Sequence, residues 1–335
     1  MSSVKSIPDD SGLILGPILR YVDADSATIW VQAAHACQVR IVAGETTATA
    51  LTFAVHDHHY ALVDLTGLPA DSHISYTVWL DDRPVWPPTD SDLPASTIRT
   101  TGVAEPVRLL WGSCRRDAGD GSAVVRLHGM DSLRAYAAEL AAPREATGRP
   151  SLEHPSQLLL IGDQIYADSP SEPMREFLAA KRDVSEPPGE ELVDYIEYAE
   201  SYRLAWSEPT IRWLLSCVPS MMIFDDHDVR DDWNTSASWR EQMRAEPWWR
   251  GRIVAGLTSY WVYQHAGNLS PGQRASDAYG GRIAAAGDTM DLGPALDAVS
   301  AAVDDDSSSY RWSYARRVGP VQLLMLDSRC GRTLE

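Results

Sequence analysis

Four apolar runs in the later two thirds of the sequence each end in polar, chemically capable residues: VRLLWGSC, QLLLIGDQIYAD, MMIFDDHDVRDDWN and VQLLMLDSR. Short apolar strands that alternate with helical segments build an open α/β sheet, and such sheets place ligands outside the carboxyl ends of their strands. The four tails are therefore expected to converge on one site. Between them, DSLRAYAAELAA and YIEYAESYRLAW carry helical periodicity, whereas APREATGRPSLEHPS and DVSEPPGEE read as loops. The stretch AAAGDTMDLGPALDAVSAAVDDDSSS lacks a clear pattern and reads as a partly flexible insertion.

A different pattern precedes these runs. From Gly12 to about Thr101, β-rich segments such as SATIWVQA, CQVRIVAG, HYALVDL and ISYTVWLDD are separated by turn residues, and several alternate apolar with polar. The expected architecture is α/β with an N-terminal all-β domain: a fibronectin III-like β-sandwich over 1–103, then an α/β domain over 104–335. Tyr76 is expected to be the corner tyrosine of the sandwich. The 335 residues suffice for two cores.

Charge narrows the chemistry. With 29 Lys+Arg against 47 Asp+Glu the formal charge is −18, which repels phosphate backbones and anionic membranes. Nucleic acid and membrane partners are disfavoured, and anionic substrates are compatible with such a field only where cations offset it locally. No run of roughly 18 apolar residues occurs. With no signal-like opening either, a soluble cytoplasmic protein is expected. The cysteines Cys37, Cys114, Cys217 and Cys330 form no CxxC pair, so neither a zinc knuckle nor a disulfide framework is indicated.

Individual residues in the tails suit metal chemistry. Gly162 lets the backbone approach an ion, and Asp163 can bridge two cations with its two oxygens. The bland alternative is a helix cap. The run FDDHDVRDDWN crowds like charges beside a strand, which is costly without cations or free solvation, and sets His227 between carboxylates as a proton donor. Cys114 stands at a strand end with Arg115 and Arg116 behind it, a setting expected to favour the thiolate. Asp327 and Arg329 close the fourth run, where a structural ion pair and a substrate contact are equally open.

Taken together, SC, GDQIYAD and DDHDVRDDWN, with TSYWVYQHAGNLSP further on, resemble the alkaline phosphatase D (PhoD-like) family of metallophosphatases, in its cytoplasmic actinobacterial form. The resemblance implies a calcineurin-like metallophosphatase sandwich that hydrolyses phosphate mono- or diesters with a metal-activated hydroxide. It implies Fe3+ and Ca2+, or another divalent cation, as cofactors. Carried over residue by residue, Cys114, Asp163 and Tyr166 would hold iron, Asp163 and Asp226 would reach the second metal with Asn234 as a further ligand, and His227 would protonate the leaving group. Arg115 or Arg329 would bind a phosphate oxygen of a small phosphoester substrate.

Later blocks that complete such sites are not found. Beyond His227 the only histidine is His265, inside the helical-looking YWVYQHAGN. The expectation is therefore a truncated member with an incomplete α/β layer and an uncovered apolar face. A non-catalytic cation-binding module, or an inactive phosphatase fragment, is the alternative. A metal-free carboxylate-pair hydrolase leaves Cys114 and Tyr166 unexplained.

Overall fold

The computed structural model describes residues 11–102, 106–116, 129–142, 152–286 and 291–334. Nine strands form the N-terminal sandwich: β1 (Leu13–Val22), β2 (Ser26–Ala33), β3 (Gln38–Ala43), β4 (Thr46–Leu51), β5 (Phe53–Val55), β6 (His58–Thr66), β7 (His73–Leu80), β8 (Arg83–Trp86) and β9 (Thr97–Arg99). One antiparallel sheet runs β1-β2-β6-β5, the other β4-β3-β7-β8 with β9 also on β7.

The second sheet alternates as the sequence predicts, with Val39, Ile41 and Ala43 buried and their neighbours half-exposed or exposed. In β1 and β2 nearly every residue is buried, because alternate side chains enter two different cores. Leu19, Ile29 and Val31 point into the sandwich. Leu15, Ile18 and Trp30 join Tyr60 and Val55 in a larger core shared with the helices. The Trp30 indole N–H also donates to the Val262 carbonyl at 3.0 Å.

Tyr76 corrects an expectation. A corner tyrosine would bond back within its own sandwich; the Tyr76 hydroxyl instead donates to the Ser216 carbonyl at 2.8 Å. The helix carrying Ser216 packs on this end of the sandwich, where Ser96 also meets Ser216 (2.6 Å).

The remainder contains a three-stranded parallel sheet, β10 (Leu109–Gly112), β11 (Gln157–Ile161) and β12 (Ser220–Ile223), in that order. The hairpin β13 (Tyr314–Val318) and β14 (Val321–Met325) stands apart from it among the described residues. Among the described residues the α-helices are α1 (Ser132–Ala141), α2 (Glu172–Lys181), α3 (Tyr195–Trp206), α4 (Pro209–Cys217), α5 (Ala237–Ala245), α6 (Trp249–Tyr260), α7 (Pro271–Ser276), α8 (Ala278–Ala286) and α9 (Gly293–Asp305). The two helices expected from periodicity form as α1 and α3, started by Asp131 and Asp194, whose side chains accept backbone N–H groups of the first turn. The loop expected at DVSEPPGEE is a run of turns; most of APREATGRPSLEHPS lies outside the described residues.

The expected flexible insertion is corrected in part. Its second half is α9, which buries Leu296, Ser300 and Val303 at helical spacing and packs on α6. Alanine and serine dilute the apolar stripe in the sequence, so the period is visible only once the buried face is known. Past α6 the chain widens into a π-helical turn, Trp261–His265. Among the described residues no helix is long and apolar enough to cross a membrane.

Candidate metal centre

Parallel register fixes where the tails emerge. Gly112 pairs with Leu160, and Ile161 pairs with Ile223, so the chain leaves all three strands at one edge of the sheet. There the backbone turns sharply: Cys114, Asp163, Asp232 and Asn234 all have positive φ, between 50° and 62°. Each such residue costs on the order of 1 kcal/mol. Gly162, at φ 120°, cannot carry a side chain, since a Cβ would lie 2.6 Å from the Cβ of Asp225. The second and third tails therefore touch through Gly162.

Asp163 is 2% exposed, and its Oδ1 is buried without a hydrogen-bond partner. Burial pushes its carboxyl up, a contact with Cys114 opposes this, and the charge of Asp225 adds to it. A bound cation would remove all of that penalty. Ligand atoms of Asp163, Asp226 and His227 lie within 4.8 Å of one another, and those of Asp226, Asp231 and Asp232 form a second such group. Mixed carboxylate, imidazole and, beside them, thiol donors fit a metal. Tyr166 stands next to His227, with ring centroids 4.7 Å apart. Asn234 is buried nearby, its amide donating to the Arg329 carbonyl at 3.4 Å.

His227 is held by a residue to which sequence reading gave no role. Its Nδ1 lies 2.9 Å from both oxygens of Asp168, leaving Nε2 directed outward with Asp231 3.8 Å away. Burial pulls the imidazole down, but the hydrogen bond and charge of Asp168, with Asp163 and Asp226 beyond, outweigh it and hold His227 above its ordinary value. The spacing signal for Asp168 was present in GDQIYAD, five residues after Asp163. Asp228, also without an assigned role, is buried beneath the tails and accepts four hydrogen bonds.

The arginines differ from expectation. Arg115 binds Asp131 (2.9 and 3.0 Å) and the Ala205 carbonyl (2.5 Å), bracing α1. Arg116 lies over the Tyr166 ring and donates to Ser169. Neither guanidinium is directed at the thiol. Burial pushes the Cys114 thiol up against a hydrogen bond to Ser113, and Asp163 and Asp225 act in the same direction. The expected bias toward thiolate from the two arginines is thus corrected; ionisation there would have to come from a metal.

The fourth tail reaches the site without joining the sheet. Arg329 pairs with Asp225 and, at 3.0 Å, with Asp226. Asp327 faces its own turn, capping the N–H groups of Arg329, Cys330 and Gly331 at 2.8 Å. All four cysteines are free; Cys114 is exposed, Cys217 and Cys330 are buried, and Cys37 is intermediate.

Comparison with known proteins bears on this arrangement. A family model described as PhoD-like phosphatase matches residues 142–332, which include Asp163, Tyr166, Asp226, His227, Asn234 and Arg329 and begin after Cys114 and Arg115. A second, Domain of unknown function (DUF7800), matches residues 10–98. Among curated proteins no match is found. A solved structure titled "Structure of PhoD" aligns with a TM-score of 0.58 at 15% identity, covering 97% of this chain and 53% of that one, so the chain spans about half the length of that protein and shares its fold. The chain belongs to the PhoD-like phosphatase family.

Proposed function

We propose that this chain carries a metal-dependent phosphoester hydrolysis site, with ferric iron at Cys114, Asp163 and Tyr166 and a divalent cation such as calcium at Asp163, Asp226 and Asn234. The observation that carries this reading is the buried Asp163 carboxylate, with one oxygen lacking a hydrogen-bond partner and a ligand atom of Asp226 close enough to share an ion. Bound cations would supply charge neutralisation at the phosphoryl oxygens and a nucleophilic water at neutral pH.

The protein's own groups supply orientation and a proton. Asp168 fixes Nδ1 of His227 as the protonated nitrogen facing it, so Nε2 is the atom that gives a proton to the departing alkoxide. Arg329, bound to Asp225 and Asp226, holds the third tail against the fourth and bounds the site. Contact between Arg329 and a phosphate oxygen would require it to share those carboxylates with the substrate. Arg115 lies in a structural pair, and its role as a substrate contact finds no support in its present contacts.

Metal analysis with hydrolysis of an alkyl and a nitrophenyl phosphate tests the reading. Asp163→Asn is expected to lose metal and at least a hundredfold in activity. His227→Ala should keep its metal, and lose on the order of 10²- to 10⁴-fold on the alkyl ester, but far less on the nitrophenyl ester, whose leaving group departs unprotonated. Turnover that survives complete metal removal, or equal losses on both esters, overturns the assignment.

A further inference from the structure

Asp228 lies beneath the site. Its side chain is 3% exposed. Oδ2 accepts the backbone N–H groups of Asp163 (2.8 Å) and Asp225 (3.0 Å), and Oδ1 accepts that of Gln164 (3.2 Å). The sheet ends at Ile161 and Ile223, so these N–H groups have passed the reach of strand pairing. One carboxylate therefore ties the turn that bears Asp163 to the turn that bears Asp226.

Asp228 is held in turn from behind. Gln264, in the π-helical turn, donates its amide to Asp228 Oδ1 (3.2 Å) and to the Tyr202 hydroxyl (2.9 Å). The backbone carbonyl of Gln264 accepts from Arg20, at 2.5 Å, and Arg20 belongs to β1 of the sandwich. Arg20 also bonds Asn268 (2.9 Å), which accepts the N–H of Met222 on β12 (3.0 Å) and donates to its carbonyl (2.7 Å). Gly267 is required beside it, because any Cβ there would overlap the Arg20 side chain. A fully buried arginine whose partners are one backbone carbonyl, an amide and a thioether is an expensive device for holding two elements together. Its placement against both the Gln264 turn and β12 gives that expense a purpose.

We propose that Asp228 is a positioning residue for the metal ligands Asp163 and Asp226, and that the N-terminal sandwich takes part in that positioning through Arg20 and Gln264. This rests on the metal-dependent reading above and extends it: the sandwich contributes to metal affinity as well as to the core.

The experiment is calorimetric titration of the full chain with Ca2+, alongside thermal unfolding, for wild type, Asp228→Asn, Gln264→Met, Arg20→Met and Tyr76→Phe. Tyr76→Phe serves as the control, since it removes a sandwich-to-helix hydrogen bond that does not lead to the site. Removal of such supporting groups weakens metal binding by about 10- to 100-fold. Asp228→Asn is expected to fall in that range, Gln264→Met and Arg20→Met to lose several-fold, and Tyr76→Phe to keep wild-type affinity even where its unfolding temperature drops. If Asp228→Asn does not fold, the contrast between Gln264→Met and Tyr76→Phe decides. Wild-type affinity in every folded variant, or equal weakening by Tyr76→Phe, overturns the proposal while leaving the metal reading intact. A wild type that binds no Ca2+ overturns both.

Discussion

The sandwich and the parallel sheet both use left-handed backbone at residues other than glycine, for different reasons. In the sandwich, His56 and Asp57 form the two-residue link between β5 and β6, and Asp81 begins the one between β7 and β8. Tight antiparallel hairpins demand that conformation to match strand twist. The parallel sheet has no hairpins, yet Cys114 and Asp163 adopt the same conformation directly past β10 and β11. There the positive φ bends the chain at the candidate site. The same sign of φ thus accompanies a hairpin in one region and a strand's polar tail in the other.

The strongest test of that contrast is Trp30→Ala. Trp30 is 1% exposed, lies on β2, and packs in the core shared with the helices beside Tyr60 and Tyr263. A loss of about 3–5 kcal/mol is expected, in a single urea transition seen alike by far-UV circular dichroism and tryptophan fluorescence. Two separate transitions would show that the regions are independent in stability.

Next in size is the pair Gly162→Ala and Gly67→Ala. A Cβ at Gly162 meets Asp225, whereas at Gly67, φ 74°, it meets nothing within 4 Å. The first should cost about 2–4 kcal/mol from strain plus overpacking, the second about 1 kcal/mol from strain alone. Equal costs in denaturant titrations would mean that the tails can part without penalty.

A separate effect concerns acid. Burial, with Arg20 beside it, pulls His265 down to about 3, and burial with Arg99 pulls His154 down to about 4. Both folded values lie below the ordinary 6.5, so this stability is complete above that pH and is lost as pH falls toward 3–4. Each histidine adds a slope of up to about 1.4 kcal/mol per pH unit. The sandwich histidine His56 shifts the other way, raised by its bond to Asp297, and opposes the loss as pH falls. Denaturation midpoints at pH 8, 6 and 5 should therefore decline, and His265→Phe should flatten that decline.

Much of this architecture is legible in the sequence because it depends on local pattern: alternation in β3, periodicity in α3, apolar runs that stop at polar tails. What escaped reading depends on partners distant in the chain. In DDHD, Asp226 and Asp228 are the same residue type two positions apart, yet one joins the group of candidate ligand atoms and the other lies buried under it, where Gln264 thirty-six residues later donates to it. Tyr76 looked local and bonds 140 residues away. Arg115 and Arg116 follow Cys114 directly, but turn to Asp131 and Ser169 because those acceptors are already fixed by α1 and by the loop before α2. Among the described residues, Trp111, Leu324 and Leu326 are each exposed by 66–68%.

The bond from Tyr76 to Ser216 has a consequence for heredity. Two folding units joined by a plain apolar contact can drift apart, recombine with other partners and be exchanged by gene fusion. Here a hydroxyl, an indole and a guanidinium on the sandwich each meet a specific backbone carbonyl across the junction. A transplanted sandwich of the same topology but without those three donors would leave the recipient's carbonyls dry and unanswered.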